Sequence, residues 1–189
     1  KSPLRIISMV IFLLLNGKML NRSFELNRWA NRARCMAEKS QILEKYRRTS
    51  DHHEYAEIRD LYKKHSIAED NRDLPGLIST LTTDCVYELV QEQVRWDGHE
   101  GAQAFYTSLL SAFPDIHFDL TDIVIGPQGV CEEADVTGTH LGEWLGEKPT
   151  GEPIDFSVII WFPWSVKEKL FQGEKIYIIE KIKMKKIHE

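Results

Sequence analysis

His140 is the side chain whose neighbours best suit it to move a proton. Residues 129–141 alternate with a period of two, so Val130, Ala134, Val136, Gly138 and His140 share one face. Glu133, Asp135, Thr137 and Thr139 share the other. A histidine or carboxylate held among apolar groups has its proton affinity moved toward neutrality, which suits general acid or base work. The competing role for His140 is a histidine hydrogen-bonded in the core or at a hairpin corner. Glu180 is a second candidate acid, on the opposite face from Ile179 at the end of the last apolar run. Tyr62, Trp96, Tyr106, Trp144, Trp161 and Tyr177, with His99, are candidates to line a flat apolar ligand site. Core packing is the alternative for each aromatic taken singly.

Other polar residues read as structural. His99 sits between Gly98 and Gly101 where a turn becomes a helix, and Asp97 and Glu100 serve the same helix start. Asp115, just after Pro114, fixes a chain reversal, and His117 points to solvent. Asp155 faces outward with Ser157, Ile159 and Trp161, a half-apolar face consistent with a dimer contact. The sequence contains no nucleophile elbow, phosphate-binding glycine loop, metal-ligand spacing or dinucleotide fingerprint. Their absence argues against hydrolase, kinase and nicotinamide chemistry.

The elements that must position these side chains follow from periodicity. Asp51 and Glu54 form a capping-box-like start for an amphipathic helix over 52–69, with Tyr55, Ile58, Leu61, Tyr62 and His65 at helical spacing. Asp73-Leu74-Pro75 opens a short second helix with Leu77, Ile78 and Leu81 inward. Residues 84–90 suit a strand. Ala102, Phe105, Tyr106, Leu109 and Phe113 define a third helix, stopped by Pro114. The period then becomes two, predicting strands over 116–125, 129–141, 154–163 and 174–180. Helices first and an antiparallel meander after imply an α+β domain with its helices on one face of the sheet.

Charge separates the chain into three regions. Residues 1–50 have eleven Lys and Arg against three acids, residues 51–174 eight against twenty-four, and the last fifteen residues five against two. The acidic middle repels phosphate backbones, so nucleic acid is not an expected partner. Ile6 to Leu15 is an apolar run too short to span a membrane, which takes about 20 residues. Residues 1–50 thus read as a basic extension, 51–180 as the domain and 181–189 as a basic tail. Two readings of the extension stay open: a signal-like segment, or sequence upstream of a natural start at Met36. Cys35, Cys85 and Cys131 are odd in number and widely spaced, which fits reduced thiols in a cytoplasmic protein.

Three stretches go beyond pattern: Trp96-Asp-Gly-His-Glu-Gly101, Ala112-Phe-Pro-Asp-Ile-His-Phe118, and Val136-Thr-Gly-Thr-His-Leu-Gly-Glu-Trp-Leu-Gly146 followed by Pro149-Thr-Gly151. In this order and spacing they resemble the SnoaL-like polyketide cyclases, or ester cyclases, of the nuclear-transport-factor-2-like superfamily, over residues 52–177. The resemblance implies a cone-shaped, curved antiparallel sheet packed on about three helices, with a hydrophobic pocket in its mouth. It also implies homodimers through the outer sheet face. The family's activity, again by resemblance, is ring closure by intramolecular aldol condensation, without a cofactor. The superfamily also holds isomerases, dehydratases and binding modules without chemistry, so fold alone does not decide function.

An aldol closure needs a base for a proton alpha to a carbonyl, a donor for the enolate, and a dry cavity. The resemblance implies an acid in the final strand. Gly173-Glu-Lys-Ile-Tyr177 fits the approach to it, but Ile178 and Ile179 occupy the following positions. No family acid is carried onto a residue here. Glu180 acting after a register change, loss of the chemistry, and a non-native tail all stay open. The leading expectation is a cofactor-free cyclase, isomerase or dehydratase acting on a small apolar carbonyl compound, with His140 as base or donor. A module binding a small hydrophobic ligand and a dimerising scaffold are the rivals.

Overall fold

The computed structural model describes residues 39–179. The chain divides into two units, with the boundary between Arg48 and Thr49. In the first, residues 39–47 are helical and exposed. The expectations for residues 1–35, for Glu180 and for the tail 181–189 lie outside the described residues. Among the described residues no helix is long and apolar enough to cross a membrane.

In the second unit, Asp51 caps helix α1 (His52–Asp70) by accepting from the Glu54 N–H at 2.8 Å. Ile58, Tyr62, His65 and Ala68 form its buried stripe. Asp73 caps the short helix α2 (Leu74–Ile78) in the same way, with Pro75 in the first turn. Strand β1 (Leu81–Leu89) buries Cys85, Tyr87 and Leu89. Helix α3 (Gly98–Ala112) buries Ala102, Phe105, Tyr106, Leu109 and Ala112, one face of its 3.6-residue period. Strands β3 (His117–Gly126), β4 (Gly129–Thr139), β5 (Pro153–Ser165) and β6 (Leu170–Ile179) form the meander.

Two features depart from the expected layout. The Trp96 segment does not simply lead into a helix: Val94–Asp97 is a strand, β2, paired antiparallel with β1 through Tyr87 and Trp96. Four residues are too few for a period-two signal to stand out. Nor is the sheet antiparallel throughout. Its order is β2-β1-β6-β5-β4-β3, and β6 pairs parallel with β1. The meander returns to the free edge of β1 after three antiparallel reversals, and α3 is the crossover that lets two parallel strands meet.

The inner face of the sheet packs on the helices. Val130, Ala134 and Val136 of β4 and Val158, Ile160 and Phe162 of β5 point there, each at most 5% exposed. In β6 the alternation changes partway: Phe171 and Gly173 are buried, then Glu174 and Ile176. Gly173 has φ +102°, and a Cβ on it would lie 2.0 Å from the Val86 carbonyl oxygen. A left-handed residue in close contact with β1 makes the bulge, and the bulge turns Glu174 inward with Ile176 and Ile178.

Candidate functional site

Between α1, α3 and the inner sheet face lies a cavity of about 190 Å³. Leu109 and Phe113 line it from α3 and its end, Val136 from β4, Trp144 from the β4–β5 connection, Ile160 from β5 and Ile176 from β6. Two carboxylates interrupt this apolar wall, Glu69 from the last turn of α1 and Glu174 from β6. A carboxylate in such a wall needs partners that satisfy it, because an unpaired buried charge is costly.

Glu174 has them. Its Oε1 accepts from the Tyr106 hydroxyl at 2.8 Å and lies 3.1 Å from Nε2 of His65. His65 is fully buried, and its Nδ1 lies 2.6 Å from the Thr80 hydroxyl. The hydroxyl of Thr80 in turn donates to the Leu77 carbonyl at 2.6 Å. Tyr87 packs edge-on to Tyr106, with ring centroids 5.5 Å apart. Burial, then the charge of Glu174, holds the Tyr106 and Tyr87 phenols well above the ordinary phenol range, so both stay donors.

Glu69 has the opposite electrostatics. Burial of its carboxyl, then the nearby charges of Glu174 and Glu132, raises it well above the ordinary carboxylate range. It is the acid of the cavity most readily kept protonated. Glu69 and Phe118 also line a second, larger cavity of about 440 Å³ between α1 and strands β3 and β4. There Glu132 accepts a hydrogen bond from the Tyr62 hydroxyl. Burial raises Glu132 to about 7, opposed by the Tyr62 bond and assisted by the charge of Glu174. Tyr62 is pushed up by its own burial and by Glu132. Among the described residues, no group of three or more His, Cys, Asp and Glu is placed to hold a metal ion.

The residues singled out from sequence fall in several places. His140 does not line the apolar cavity. Strand β4 ends at Thr139, and His140 sits at the hairpin corner, its N–H donating to the Glu152 carbonyl at 3.0 Å and its own carbonyl accepting from Gly151 at 2.9 Å. Its ring stacks on Phe113 at 5.2 Å, one residue removed from the cavity, and its Nδ1 lies 3.3 Å from the Thr150 hydroxyl. Trp144 lines the cavity, Tyr62 the second cavity, and Tyr106 holds Glu174. Trp96 stands behind Phe105, with ring centroids 5.0 Å apart. His99 meets the Leu81 carbonyl through Nε2 at 3.2 Å, a structural link. Trp161 and Tyr177 alternate with the cavity-lining Ile160, Ile176 and Ile178, so they belong to the outer sheet face. Glu180 lies outside the described residues.

Glu69, Glu132, Glu174 and His65 are the groups that sequence reasoning passed over, although each had a signal. Glu132 shares the parity of Val130, Ala134 and Val136. Glu174 shares that of Ile176 and Ile178. Glu69 follows His65 by four residues and Tyr62 by seven on one helix stripe. The acidic composition of the segment hides these three among exposed carboxylates.

A family model described as SnoaL-like polyketide cyclase matches residues 56–169. No curated protein matches the chain. Among solved structures, AclR from Streptomyces galilaeus is 23% identical with a TM-score of 0.54, covering 67% of this chain and 91% of its own. IdmH from Streptomyces antibioticus is 21% identical with a TM-score of 0.53, over 64% and 91%. A nuclear-transport-factor-2-like protein from Burkholderia pseudomallei is 11% identical with a TM-score of 0.54, over 65% and 90%. At these identities the likeness is one of fold, an α+β architecture with a curved open sheet.

Proposed function

The chain belongs to the SnoaL-like polyketide cyclase family, and from that premise we propose that it is a cofactor-free enzyme of the cyclase or isomerase type acting on a small apolar carbonyl compound. The observation behind this reading is the pair of carboxylates, Glu69 and Glu174, converging on one apolar cavity. Two carboxylates in such a place divide into a neutral acid and an ionised base, because both cannot ionise cheaply. Glu174, held by Tyr106 and His65, is the base. It takes the proton alpha to the carbonyl, and the C–H electron pair passes into the enolate. Glu69, kept protonated by burial, donates to the enolate oxygen. Phe113, Trp144, Ile160 and Ile176 exclude water and hold the carbon skeleton. The same reading pairs two copies through the outer sheet face, where Val124, Tyr177 and Ile179 are exposed; sedimentation as a monomer at micromolar concentration would remove that part.

Solvent-proton exchange tests the chemistry without knowledge of the natural substrate. A panel of small apolar ketones is incubated in D₂O with the protein, and deuterium alpha to the carbonyl is read by mass. The expected result is catalysed exchange for at least one ketone, lowered about 10²–10⁴-fold in Glu174→Gln. Saturable binding of a ketone with no exchange above buffer favours the non-catalytic ligand-binding module instead.

A further inference from the structure

His65 is a fully buried titratable group that the proton transfer above does not itself use. Counting its hydrogens defines its state. Thr80 has one hydroxyl hydrogen, and that hydrogen goes to the Leu77 carbonyl at 2.6 Å. The Thr80 oxygen can then only accept from His65, so Nδ1 carries a proton across the 2.6 Å contact. The 3.1 Å contact between Nε2 and Glu174 Oε1 requires a second proton, since two bare lone pairs would repel. That proton sits either on the imidazole or on the carboxyl.

The surroundings favour the imidazole. Oε1 also accepts from the Tyr106 hydroxyl at 2.8 Å, and a phenol donor binds a carboxylate more strongly than a carboxylic acid. The His65 ring is held in place by T-shaped contacts with Phe162 and Phe171, at 5.4 and 6.1 Å between ring centroids. The other ionisable groups around Glu174 are Glu69 from α1, Cys85 and Tyr87 from β1, Tyr106 from α3 and Glu132 from β4, all of them neutral or negative. His65 is thus the one cation identified beside this carboxylate among the described residues.

We propose that His65 is a positioning residue that carries two protons inside the core and, as counter-ion, keeps Glu174 ionised in an apolar wall. The proposal rests on the reading of Glu174 as the base. It explains how one carboxylate of the cavity stays available as a base while Glu69 stays an acid. Thr80 is the part of the device that holds the Nδ1 proton, and through it the end of α2 sets the state of a residue on β6.

The test uses the full chain labelled with ¹⁵N-histidine, without any substrate. NMR at neutral pH is expected to find both His65 ring nitrogens protonated in the wild type, and one proton lost in Glu174→Gln. A bare Nε2 in the wild type overturns the proposal. The second readout is the pH profile of ketone exchange in His65→Asn. Loss of the counter-ion moves the rising limb to higher pH and lowers exchange at neutral pH at least tenfold, with recovery in base. A uniform drop at every pH marks a merely structural role and also overturns the proposal. A doubly protonated His65 in a protein that exchanges no ketone refutes the enzyme reading while the ion pair stands, so the two failures are distinguishable.

Discussion

Replacing Glu132 by Gln should flatten the pH dependence of folding stability. In the folded protein this carboxyl is raised from its ordinary 4.5 to about 7, chiefly by burial. The native state therefore binds the proton more tightly than the unfolded chain. The resulting stability is fully present below pH 4.5 and is lost as pH rises through about 7. The gap between those two values, at about 1.36 kcal/mol per pH unit, amounts to about 3 kcal/mol. Roughly 2.5 kcal/mol of it falls between pH 5 and pH 8. Glutamine keeps an oxygen for the Tyr62 hydroxyl and cannot ionise, so the variant removes the titration and spares the hydrogen bond. Urea unfolding of both proteins at pH 5 and pH 8 measures the effect. The wild type should lose about 2.5 kcal/mol more than Glu132→Gln over that interval. Carboxyls remote from Glu132 contribute equally to both proteins and cancel, whereas Glu69, raised in part by the Glu132 charge, adds to the loss in the wild type. Equal pH dependence in the two would refute a Glu132 carboxyl raised by burial.

Other consequences concern the cavity and the bulge. His140→Ala should leave ketone exchange within about threefold of wild type, since the side chain stands behind Phe113 and not at the cavity wall; a loss of 10²-fold or more would return His140 to the mechanism. Gly173→Ala should cost about 2–4 kcal/mol in urea unfolding, because a Cβ there meets the Val86 carbonyl at 2.0 Å with φ at +102°. An unchanged midpoint would show that the bulge does not depend on glycine. Ile160→Trp should occupy part of the 190 Å³ cavity and weaken saturable ketone binding while the protein stays folded. Undiminished binding, read by calorimetry, would place the ligand elsewhere.

Apart from the four-residue strand β2, the elements and their order were legible from local periodicity. Asp51 and Asp73 announce the helix starts by cap chemistry, Pro114 the end of α3, and the alternation from Gly129 to Thr139 a strand with a buried face. These signals are local, because capping and side-chain direction depend on residues within one turn or one pleat. The family, too, was legible, since its motifs are contiguous stretches.

What tertiary structure alone decided is which polar groups meet. His65 and Glu174 are 109 positions apart, and Tyr62 and Glu132 are 70 apart. No periodicity within one element reports such a pairing. His140 had the right parity for the cavity but lies past the end of its strand, where the backbone closes a hairpin with Gly151 and Glu152. Glu174 looked like the approach to the last strand, and the bulge at Gly173 makes it an inward residue of that strand. A buried carboxylate has no signature in composition. Its environment is made by side chains from α1, β1, α3 and β4 that become neighbours only when the sheet closes over the helices.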